Sequence, residues 1–138
     1  MIRRKSNLFL ALALTLLLAS PSHALVTSDD GLALTLGADI SATGVQDALA
    51  LPLGSSARFT GAANITLGGI VAPTNSRFLI LHNDSAFSLI IGHETVGATA
   101  GNRIITDTAA AVTFAQNTSA LVQYDLTEAR WRLLTRIG

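Results

Sequence analysis

Hydrophobic and polar residues alternate along most of this chain. In "GLALTLGA", Leu32, Leu34 and Leu36 share one side, with Ala33 and Thr35 on the other. In "RFLILHN", Phe78, Ile80 and His82 stand opposite Leu79, Leu81 and Asn83. "FSLIIGH" groups Phe87, Leu89 and Ile91, and "AVTFAQ" pairs Val112 with Phe114. "LVQYDL" sets Val122, Tyr124 and Leu126 against Leu121, Gln123 and Asp125. "RWRLLTRIG" sets Trp131, Leu133 and Ile137 against Arg130, Arg132 and Arg136. A period of two over four to eight residues marks a half-buried strand. Turn-prone clusters such as "TSDDG", "LPLGSS", "APTNS", "HNDS", "TAGN" and "DLTEA" separate the runs. The pattern predicts an all-β chain, an antiparallel sandwich or β-prism-like module of about eight to ten short strands. Only "DALALP" and "TDTAAAV" favour helix, so at most one helical turn is expected, near Val45–Leu51.

The first residues follow another pattern. Arg3, Arg4 and Lys5 precede the apolar run Leu8 to Ala19. Pro21 breaks that run, and Ser22 and Ala24 occupy small-residue positions. This is the layout of a signal peptide, residues 1–24, cleaved between Ala24 and Leu25. The run is short for a membrane span, so none is expected after cleavage. Residues 25–138 then form one domain, exported to the periplasm, the cell surface or the exterior. It has no cysteine and must fold without disulfides.

The expected mature chain keeps six basic residues, all arginine, against nine acidic ones, a formal charge of −3. A mildly acidic surface without lysine excludes an electrostatic footprint for nucleic acid. "RFLILH" and "SLIIG" are apolar on both sides. One buried face per strand suffices for a two-layer domain. The second face is therefore expected to meet another copy of the chain.

The segment Arg77 to Leu134 carries a resemblance. It contains Asn83 to Ser85, His93-Glu94, Ala98 to Thr106 with Asn102 and Arg103 inside it, Val112 to Phe114, Tyr124-Asp125, and Arg130-Trp131-Arg132, in that order. This series resembles the β-structured modules of phage tail-fibre and other virion appendage proteins, and of related exported bacterial proteins. The resemblance implies a rigid trimeric module serving as a stalk, tip or attachment surface, and not an enzyme. Tail-fibre modules carry no signal peptide, so an exported bacterial relative fits this chain at least as well.

Candidate chemistry is sparse. "GHETVGAT", Gly92 to Thr99, has the glycine spacing of a phosphate loop, but Ala98 stands where the lysine is required. His93-Glu94 begins an H-E-x-x-H motif that Gly97 breaks. His82, His93 and Glu94 form a ligand set only if two strand ends converge; strand-end residues beside a turn are the expected reading. No cysteine and no G-x-S-x-G elbow is present, and no cofactor is expected. The sequons at Asn64, Asn83 and Asn117 read as turns. "YDLTEARWRLL" is expected to be a hairpin with Trp131 in the core and Asp125 or Glu128 paired with Arg130 or Arg132. A Tyr124, Trp131 and arginine surface for a glycan is the alternative, which would make the domain lectin-like.

Overall fold

The computed structural model describes residues 36–51 and 53–138. The expected signal peptide and its Ala24–Leu25 cleavage site lie outside the described residues. Among the described residues the architecture is all-β, with ten strands: β1 (Leu36–Ile40), β2 (Gly44–Gln46), β3 (Ser56–Phe59), β4 (Ile65–Leu67), β5 (Arg77–Asn83), β6 (Leu89–Ile91), β7 (Ile104–Ile105), β8 (Val112–Phe114), β9 (Thr118–Asp125) and β10 (Arg130–Ile137). One 3-10 turn, Ala100–Asn102, is the helical element among the described residues. It lies far along the chain from the expected Val45–Leu51, which holds β2 and an isolated bridge from Leu49 to Ile70.

The strands do not form an antiparallel sandwich or a prism. They wind into a β-solenoid of about four turns. Successive strands up to β6 alternate between two sheets, one ordered β1-β3-β5-β9-β10-β7 (sheet A) and one ordered β2-β4-β6-β8 (sheet B). β1, β3 and β5 are parallel, as are β2, β4 and β6. Ile40 aligns with Phe59, and Phe59 with Asn83; Ile65 aligns with Leu89. One turn thus takes 19 to 24 residues, close to the repeat lengths of solenoids. The fourth turn runs backwards: β8 pairs antiparallel with β6, and β9 antiparallel with β5. β10 then returns along β9, and β7 joins it in parallel at the edge of sheet A.

The inward stacks show why the chain winds this way. Ile65, Leu89 and Phe114 align on sheet B, as do Leu67, Ile91 and Val112. Leu79, Val122 and Leu133 align on sheet A, as do Ile104, Trp131 and Tyr124. All twelve are buried in one core. Strands about 4.8 Å apart bring like positions of successive turns into contact, so each turn buries its apolar side against the next. The first turn differs: Gly44 and Gln46 occupy the positions of Ile65 and Leu67, and the Gln46 amide donates to Thr43 O at 2.9 Å. On sheet B the apolar stack therefore stops at Ile65 and Leu67, whereas on sheet A it continues into the first turn through Ile40.

Three expected strand phases are corrected. Leu126, grouped with Val122 and Tyr124 by alternation, lies in the turn beyond β9 and is 50% exposed. Phe87 lies outside β6, in a bend, and is 42% exposed. In β10 the register slips between Leu133 and Thr135. A bulge reverses the side on which later residues project. Ile137 therefore aligns with outward Ser119, and Arg136 with inward Ala120.

Candidate functional site

Most of the residues singled out by sequence assemble where the reversed turn meets the parallel stack. Trp131 is enclosed on β10, its indole N–H donating to Ile70 O at 3.0 Å. The Tyr124 ring meets it edge-on at 5.3 Å. Both rings are buried, so neither offers a stacking face for a sugar. Asn102 closes the neighbouring corner: its side-chain oxygen accepts from Ala72 N–H at 3.0 Å, and its carbonyl from Ile70 N–H at 2.9 Å. Arg103 donates to Ala98 O at 3.0 Å, while its own carbonyl accepts from Trp131 N–H.

The hairpin charges divide into two groups. Asp125 accepts from the amides of Thr127 and Glu128, which builds the turn from its side chain. Arg132 meets Asp125 at 3.5 Å and also Glu128. The hydrogen bond to Glu128, chiefly, raises the Arg132 pKa above its ordinary value. Arg130 turns the other way, with its Nε 3.3 Å from Glu94 Oε1; Arg103 lies 3.9 Å from the other Glu94 oxygen. Glu94 sits in the left-handed region at φ 42°, a conformation that costs a side-chain-bearing residue on the order of 1 kcal/mol. The two arginines and a backbone bond from Glu94 N–H to Ile104 O at 2.8 Å hold it there.

"GHETVGAT" is thus a packed corner. A Cβ on Gly97 would lie 2.2 Å from an Asp47 carboxylate oxygen, and one on Gly92 would lie 2.3 Å from Thr95 Oγ1. The glycines make room for protein oxygens. Among the described residues, no group of three or more His, Asp and Glu side chains is arranged to hold a metal ion. His82 and His93 instead serve separate elements: His93 bonds Thr106, and the His82 Nδ1 lies 2.6 Å from Ser119 Oγ.

Local sequence does not reveal the Ser119–His82 pair, because 37 residues separate its members. It resembles a nucleophile beside a base. It stands on the outer side of sheet A, in a row Asp39, Arg58, His82, Ser119 and Ile137. Arg58 bonds Asp84 at 2.6 Å and lies 3.7 Å from Asp39; the Asp84 bond is the main cause of its raised pKa. Amides within a strand ladder are already paired, so this row supplies no ready oxyanion donors. The sequon residue Asn83 is fully buried and both its side-chain donor bonds are used, whereas Asn64 and Asn117 are exposed.

A cleft of about 530 Å³ lies apart from this cluster, between the loops preceding β3 and β5, with Leu51, Val71, Pro73 and Arg77 in its walls. Arg77 donates to Gly54 O at 2.6 Å, and burial lowers its pKa. Among the described residues no helix is long and apolar enough to cross a membrane. Comparison with family models, curated proteins and solved structures returns no match for this chain.

Proposed function

We propose that the chain is an exported, non-enzymatic structural or attachment module that works as a homo-oligomer, a trimer as in the appendage modules it resembles, at the cell exterior. The observation that carries this reading is the outer side of sheet A. Phe78 is 55% exposed there and Ile137 50%, with Ile80 and Leu121 half-buried beside them. These apolar side chains, set among the polar His82–Ser119 row and Gln123 on the outside of a filled solenoid, are best covered by another copy of the chain. The titratable residues near the reversed turn are engaged in holding elements together, which supports a structural role.

Light scattering on the exported chain tests the reading. The expected mass is three times that of one chain, and Phe78→Asp is expected to reduce it to that of one chain. A wild-type monomer at micromolar concentration would sink the proposal. The glycan-binding alternative gains no specific observation, since the rings of Tyr124 and Trp131 are enclosed.

A further inference from the structure

β7 is an edge strand of sheet A. One side of it pairs with β10. On its other side, Ile104 O and Thr106 N–H face the corner "GHE", and both are occupied. Glu94 N–H donates to Ile104 O at 2.8 Å, and Thr106 N–H donates to His93 Nδ1 at 3.1 Å. Unpaired edge groups invite pairing with another strand. Here a backbone amide and an imidazole cover them.

A backbone N–H can only donate, so His93 Nδ1 must carry its lone pair and the ring proton must sit on Nε2. The Thr106 hydroxyl stands 3.1 Å from the same nitrogen and gives its own proton to Ala110 O at 2.7 Å. Its oxygen can therefore accept from a protonated Nδ1. We infer that His93 is a proton-operated clasp on the edge of sheet A. Neutral, it accepts from the Thr106 amide. Protonated, it donates to the Thr106 hydroxyl and leaves that amide without an acceptor.

The charged groups around the clasp are Glu94 beside it, Arg103 and Arg130 on Glu94, Asp107 with Arg136 next to Thr106, and Asp47 against Gly97. The Glu94 ion pairs hold the rest of the corner while the imidazole changes partner. The effect is therefore local to Thr106 and separable from unfolding.

The test compares hydrogen-exchange protection of the Thr106 amide in the full chain at about pH 7.5 and pH 5, the window in which imidazole changes charge. Protection, corrected for intrinsic exchange, is expected to fall about five- to tenfold in the wild type, the size of one lost hydrogen bond. His93→Asn keeps an acceptor at the Nδ1 position but cannot titrate, and should show no such fall. Equal pH dependence in both proteins would overturn the inference. Nitrogen NMR of the wild type gives a second reading that needs no variant. It should find the His93 proton on Nε2 at pH 7.5, and a proton on Nδ1 there would also overturn it.

Discussion

Asn83 offers the sharpest test of how the reversed turn is joined to the parallel stack. Its side chain is fully enclosed. The amide donates to Phe87 O at 2.8 Å and Phe114 O at 3.0 Å, while the oxygen accepts from the Ser85 amide at 3.2 Å and the Ser85 hydroxyl at 2.9 Å. The bond to Phe114 ties β5 to β8 directly. Asn83→Ala removes all four bonds and strands buried partners. At about 0.5–1.5 kcal/mol net per bond, and more for an orphaned buried group, the loss is about 3–5 kcal/mol. For a domain of this size that lowers Tm by about 15–30 °C. Asn83→Asp preserves shape and both acceptor roles, but sets a buried carboxylate against two carbonyl oxygens. At neutral pH it should be less stable than the alanine variant, because a buried charge without a partner costs several kcal/mol. Burial raises the folded-state pKa of the introduced carboxyl above its unfolded value of about 3.9. Its penalty is therefore full above the folded pKa and fades as pH falls through it. Thermal melts followed by circular dichroism at pH 7 and pH 4 read both effects. An aspartate variant melting within about 3 °C of the wild type at pH 7 would refute the reasoning.

Gly69→Ala would place a Cβ 2.4 Å from Asp47 O and 2.7 Å from the Ala98 Cβ, atoms with little freedom to move; a loss of about 1–3 kcal/mol is expected in urea unfolding. Trp131→Ala removes the largest enclosed side chain and its bond to Ile70 O; about 3–5 kcal/mol should be lost, and a variant as stable as the wild type would place the indole outside the core. Ala129 sits at φ 51° in the β9–β10 turn; Ala129→Gly relieves that conformation and should raise Tm by a few degrees, the relief of roughly 1 kcal/mol being partly offset by glycine's greater unfolded-state freedom.

The longer strands were legible in the sequence because alternation persists over them. β5 appears where "RFLILHN" places it, with Leu79 and Leu81 inward; β9 overlaps "LVQYDL" with Val122 and Tyr124 inward, but it begins at Thr118 and leaves Leu126 in the turn. The winding was not legible. Alternation has the same period in parallel and antiparallel strands, so it does not carry direction. Direction is carried by the repeat, in which "FTGAANITL" and "NDSAFSLII" occupy equivalent positions six residues from corner to strand. Its strands β2, β3 and β4 are three or four residues long, too short to show alternation. The bulge at Leu134 was hidden because no glycine or proline marks it. At the candidate site, Arg132 with Asp125 and Glu128 followed from hairpin proximity. The Arg130–Glu94 and His82–Ser119 contacts depend on which turns stack, and local spacing does not reveal that.

The backward fourth turn bears on the order of folding. The β9–β10 hairpin is closed by one short turn, whereas β1–β3, β3–β5 and β5–β9 each join strands separated by a long connection. Short closures form earliest because less chain entropy is lost in making them. The hairpin would thus act as a template on which β5, then β3, then β1 are laid down, so assembly runs opposite to synthesis. Pulse-labelled exchange should find β9 and β10 amides protected before those of β3; the reverse order would contradict this sequence of events. The parallel stack would then depend on strands that follow it in the chain: β5, β3 and β1 gain a lasting partner only once β9 and β10 have been made and paired.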